Sequence, residues 1–148
     1  MIQEEYSDFL KRNQITLRPV DSRKVNFYTL QDNINYLANA RELEVIEEFQ
    51  QKGFKYEVCY STIRGEKKTQ GLYDLCGFAR ILFRDRRNSF YHQYRNFLDG
   101  RGIKADDSFV LLQATNRQEY SIHKARAEVV SLYLNTLGAN TKVKSWID

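Results

Sequence analysis

The chain predicts a mixed α+β fold in one compact domain, with about five helices packed on a small mixed sheet of four to five strands. Three observations lead there. Apolar residues recur at helical spacing in several long stretches, they alternate at period two between Phe54 and Thr62, and Gly or Asx residues punctuate the boundaries between these patterns. At 148 residues, 42% of them hydrophobic, the chain can bury roughly two-thirds of its unfolded surface around one core without disulfides or metal. With one proline and seven glycines there is no linker-like stretch, so a single domain spanning 1–148 is expected.

The elements follow in order. Residues 3–12 place Tyr6, Phe9 and Leu10 on one side of a short helix, with Glu4 and Glu5 at its positive end. Ile15 and Leu17, the turn-forming Asp21-Ser22 and then Val25, Phe27 and Leu30 read as a β-hairpin. From about Gln31 to Gln51 the pattern is helical, with a change of phase near Ala40 that predicts two segments and Gly53 as the stop. Phe54, Tyr56, Val58, Tyr60 and Thr62 share one face of a strand, and residues 64–71 form a polar loop or mobile hairpin connection. A helix is predicted from Leu72 towards Gly100, with a potential break at Asn88-Ser89 where Ser89 would cap a second segment. Phe109 to Leu112 lie within a buried strand predicted over Asp107 to Thr115. Asn116 and Glu119 stand at capping-box spacing before a helix that buries Ile122, Ala125, Val129, Tyr133 and Leu137 and ends at Gly138. Thr141 to Ile147 close the fold as an edge strand.

Charge is distributed unevenly along these elements. Residues 1–52 hold seven basic and nine acidic side chains, 53–104 hold eleven and five, and 105–148 hold five of each. The middle third thus exceeds the whole chain's net +4, and an anionic partner would be drawn to it. On a helix through this segment Arg80, Arg84, Arg87 and Arg95 fall within about 80° of one another, with Tyr91 among them. Residues 72–103 contain six arginines and no lysine. Guanidinium makes bidentate contacts to phosphate and stacks on bases, which an ammonium does not. Tyr91 and Tyr94 are candidate stacking platforms, and Lys67 and Lys68 add charge on the preceding loop. An ordinary solvated face accounts for such a stripe about as well.

Other chemistries are weakly represented. Cys59, Cys76, His92 and His123 are separated by 17, 16 and 31 residues, without the paired spacing of a zinc site, so no metal or cofactor is expected and buried, reduced thiols account for both cysteines. Neither G-x-x-x-x-G-K-[ST] nor G-x-G-x-x-G occurs. Cys76 with a histidine, or carboxylates drawn from Glu57, Glu66, Asp74, Asp85, Asp106 and Asp107, form no recognisable catalytic grouping, and a non-enzymatic role is favoured. Glu42, Glu44, Glu47 and Glu48 read first as a solvated helix face, and otherwise as a complement to the arginines within one molecule or across a dimer. Glu4, Glu5 and Asp8 stand where a secretory signal would be basic and apolar, and no apolar run nears the roughly 20 residues that span a bilayer. The expectation is a small, soluble, cytoplasmic nucleic-acid-binding protein without a membrane partner. Its alternative is a protein-binding inhibitor or adaptor module that recognises an acidic partner surface.

Overall fold

The structure, a computed structural model, describes residues 1–53, 63–65 and 74–148 in full and residues 55–62 and 66–72 by their backbone alone. Helix α1 (Gln3–Arg12) buries Tyr6 and Phe9 one turn apart, with acids in its first turn and Lys11 and Arg12 in its last, as the helix dipole favours. Beyond it the predicted hairpin over 15–30 does not form. Ile15, Leu17 and Val25 pack on the core, but the main chain of Arg18 is satisfied by a side chain. Its N–H donates to Asn33 Oδ1 at 3.1 Å and its carbonyl accepts from Asn33 Nδ2 at 2.9 Å. A buried amide thus stands in for the partner strand.

Helix α2 (Phe27–Gln51) starts at Asn26, whose Oδ1 accepts from the N–H groups of Tyr28 and Thr29. It runs unbroken through Ala40. The phase change there marks a change of neighbour: Leu30, Ile34, Leu37 and Ala38 enter the main core, whereas Val45 joins a smaller cluster with Ile122 and Ala125. Strand β1 (Lys55–Thr62) forms as expected, and the segment predicted as a polar loop is its antiparallel partner β2 (Gly65–Leu72). The sequence of β2 is too polar to alternate, so its conformation follows from the backbone ladder with β1. Gly65, at φ +116°, turns the chain between them.

The helix predicted from Leu72 to Gly100 is two structures, strand β3 (Gly77–Phe83) and helix α3 (Ser89–Gly100). Asn88, one residue before the predicted cap, accepts from Tyr91 N at 2.8 Å. The strand predicted over 107–115 is reduced to a brief pairing with the outer edge of β3. Phe83 N donates to Asp107 O and Phe109 N to Ile81 O, after which the chain swings away because Leu111 turns into the core. It returns where Gly77 N donates to Gln118 O. Those contacts occupy the residues expected to open the next helix. Helix α4 (Tyr120–Thr136) therefore begins at Glu119, not Asn116. It buries Ile122, Ala125, Val129 and Tyr133 as predicted, and Gly138, at φ +87°, ends the turn before strand β4 (Thr141–Ile147).

The described residues thus form four helices and two separate two-stranded antiparallel sheets, β1–β2 and β3–β4, instead of about five helices on one mixed sheet. The main core lies where α2, α3 and α4 meet the inner face of β3–β4. Among the described residues no helix is long and apolar enough to cross a membrane.

One polar node ties α1 to α2. The Glu44 carboxylate accepts from Arg12 Nε at 2.7 Å, Asn13 Nδ2 at 2.7 Å and Arg41 at 2.8 Å. Burial raises its pKa, but these hydrogen bonds outweigh burial and hold it at about 2, below the ordinary 4.5. A depressed carboxylate contributes stability above its unfolded pKa and loses it as pH falls towards the folded one. With screening at half-exposed Arg12, about 2 kcal/mol should disappear between about pH 5 and pH 2. Urea unfolding of wild type and Glu44→Gln measures it: the variant should lack this component, and parallel pH profiles would refute the assignment.

Candidate nucleic-acid interface

Gly77–Phe83 reads GFARILF, which sorts its residues cleanly only at period two. Gly77, Ile81 and Phe83 are buried towards α4, while Phe78 and Arg80 are exposed on the opposite face. The register sets Phe78 opposite Trp146, Arg80 opposite Lys144 and Leu82 opposite Lys142, and residues directly opposite share a face. Arg84 N donates to Asn140 O, extending the ladder one step. One sheet face therefore presents Phe78, Trp146, Arg80, Lys144, Lys142 and Arg84.

This face has an aromatic end and a cationic end. Phe78 and Trp146 are 46% and 36% exposed, far above what packed aromatics show, and their ring centroids are 5.9 Å apart. The Arg80 guanidinium lies 5.7 Å from the centre of the Trp146 ring, a cation–π contact that orients the indole. Gly77 makes this closure of β4 on β3 possible. A Cβ there would stand 2.5 Å from Trp146 O and 2.8 Å from Tyr120 Cδ2, so any other residue would push the strand end apart. Arg80 has Asp106 at 3.9 Å. Arg84, Lys142 and Lys144 have no ion pair among the described residues.

The residues singled out by sequence do not form one helical stripe. Arg80 and Arg84 share the sheet face, because a spacing of four is even and preserves a face in a strand as well as in a helix. Arg87 lies in the following loop, 3.3 Å from Asp85. Tyr91 is half-buried against Phe83, with centroids 5.0 Å apart. Arg95 donates to Ala105 O at 2.7 Å. Tyr94 is fully buried, donating to Ser108 O and accepting from Val110 N, both at 3.0 Å, and burial pushes its phenol up to about 12. Its ring is therefore a core group and offers no face to an external base. Lys67 and Lys68 belong to β2, and their side chains lie outside the described residues.

No protein-family model, curated protein or solved structure matches this chain. The chemistry of its surface is what points to a ligand. Phe78, Trp146, Lys142 and Lys144 were passed over in sequence, although TKVKSWI does carry a signal: Lys142, Lys144 and Trp146 alternate with Val143 and Ser145. Two of the acidic residues on α2 are committed elsewhere. Glu42 meets Arg126 and Thr115, and Glu44 meets Arg12 and Arg41, so neither complements the arginines of 80–95. Cys76 is exposed at the entry to β3, not buried in a helix. Among the described residues no cluster of His, Cys, Asp or Glu is arranged to hold a metal.

Beside the sheet face, on the outer edge of β3, opens a cavity of about 990 Å³. Its floor is the stretch of β3 between the pairings at Phe109 and Gln118, and its far wall is the loop 110–118. The wall is held by Arg126, a guanidinium only 3% exposed. Arg126 donates to Asn39 Oδ1 at 2.8 Å, Glu42 Oε1 at 3.3 Å and Gln113 O at 2.8 Å, while Thr115 Oγ1 donates to the same Glu42 oxygen at 2.7 Å. Burial lowers the Arg126 pKa and Glu42 counters it. His123 borders the cavity, its Nε2 2.7 Å from Arg117 O and its ring 5.7 Å from that of Phe78.

Proposed function

We propose that the outer face of the β3–β4 sheet binds single-stranded nucleic acid. One observation carries the reading: two exposed, adjoining aromatic rings share a sheet face with three cations that have no ionic partner among the described residues. Stacking needs an aromatic face open to solvent, and phosphate binding needs cations not already neutralised. In this arrangement bases stack on Phe78 and Trp146, and phosphates meet Lys144, Lys142 and Arg84 along the strand direction. Arg80 braces the indole.

Trp146 is the chain's one tryptophan, so its fluorescence reports contact directly. A short oligothymidine should quench it at low salt, and the binding constant should fall with a log–log salt slope near roughly −2, the value for about three phosphates on a single strand. No quenching at low salt would overturn the reading.

The alternative, an inhibitor or adaptor for an acidic protein surface, draws on one further observation. Leu75, 58% exposed, adds apolar surface at the Phe78–Trp146 end of the sheet, with Ile147, 51% exposed, on the opposite face, and aromatic rings with cations are also hot-spot chemistry. Polyglutamate quenching Trp146 more strongly than the oligonucleotide would favour it.

A further inference from the structure

Resting on that reading, we infer that the cavity on the outer edge of β3 receives one unstacked base of the bound strand, reading its edge with the main chain of Ala79. Arg84 N bonds Asn140 O and Asp148 N bonds Cys76 O, so the even-numbered residues of β3 exchange their main-chain bonds with β4 and the odd-numbered ones turn theirs to the opposite edge. There Gly77 and Phe83 find Gln118 and Asp107, and the Ile81 carbonyl finds Phe109 N. The N–H and C=O of Ala79 and the N–H of Ile81 face the cavity with no hydrogen-bond partner among the described residues. Main-chain donors and acceptors left free along a strand edge are available to a hydrogen-bonding occupant.

Charge indicates which part of a nucleotide that occupant is. The cavity's ions are largely matched: Arg117 with Glu119 at 2.8 Å, Arg126 with Glu42 at 3.3 Å and Arg80 with Asp106 at 3.9 Å. Lys104 and Asp148 add one charge of each sign. A site balanced in this way suits a neutral group bearing adjacent donors and acceptors, which describes a base edge. The unbalanced cations are on the sheet face, where the phosphates belong. Phe78 and Arg80 border both regions, so a base leaving the stack on Phe78 meets Ala79 next. The uncovered stretch of β3 is too short for an added peptide strand, which needs several residues of free edge.

Isotope-labelled protein titrated separately with uncharged nucleosides, inorganic phosphate and oligothymidine tests this by amide chemical shifts. Nucleosides should move the Ala79 and Ile81 amides, and phosphate should instead move those of Lys142 and Lys144. Ala79 and Ile81 amides that stay still at saturating nucleoside, while oligothymidine still quenches Trp146, would overturn the base-reading cavity and leave the sheet-face reading standing. Equal shifts with phosphate would also overturn it. Absence of Trp146 quenching defeats the sheet-face reading itself, and this inference with it.

Discussion

A variant with Arg84, Lys142 and Lys144 all replaced by alanine should lose oligonucleotide binding on the order of a hundredfold at low salt, with its salt slope about two units shallower. The three cations are exposed and have no ion pair among the described residues, so the folded state has little to lose. Thermal stability should be unchanged or slightly raised, since like charges have been removed from one face. Fluorescence anisotropy of a labelled oligonucleotide across a salt series reads the first effect, and a melting curve the second. A wild-type slope in the triple variant would place the phosphates elsewhere. The matching triple change at Arg86, Arg87 and Lys104 should leave the slope nearly intact, because Arg86 is engaged by Asp107 and Arg87 by Asp85, off the sheet face.

The largest effect on stability is expected at Arg126. Its guanidinium is buried where α2, α4 and the loop 110–118 converge, and its removal leaves Glu42 without its counter-ion and Asn39 Oδ1 and Gln113 O without their donor. Truncating one partner of a buried, hydrogen-bonded ion pair commonly costs about 3–5 kcal/mol. Arg126→Ala should approach that figure in urea unfolding. Arg126→Met, which refills much of the volume, should cost less, and Arg126→Met with Glu42→Gln less again, because the orphaned carboxylate is then neutral. Equal destabilisation by alanine and methionine would mean that volume, and not the polar network, anchors the loop. The network also sets the width of the cavity through Gln113 and Thr115, so loosening it should weaken nucleoside binding before it affects Trp146.

Elements governed by local interactions were legible in the residues. Helices α1 and α2, the buried face of α4, and strands β1 and β4 follow from spacing, caps and glycine stops. The errors share one cause. Ile15 to Leu30 reads as a hairpin, but Asn33 takes the main-chain bonds of Arg18 and Asn26 caps a helix from Phe27. Residues 65–72 lack a pattern, but β1 supplies a ladder. Residues 107–115 hold an apolar run, 109–112, that reads as a strand, yet the chain leaves the edge of β3 after Phe109 because Leu111 belongs to the core. In each case a partner outside the segment outweighed the local signal.

The cationic segment shows the same division. By itself the sequence determined that charge concentrates in the middle third, that its arginines stand beside aromatic residues, and that Arg80 and Arg84 share a face. Only the tertiary structure decided that this face is a strand's, that Tyr94 is core, and that Lys142, Lys144 and Trp146 complete the surface. The physical reason is where the hydrogen bonds are made. A helix closes its bonds within four residues, so caps and periodicity announce it. Gly77–Phe83 closes its bonds with Thr141–Ile147 across most of the intervening domain, and only when the two meet does either acquire a face.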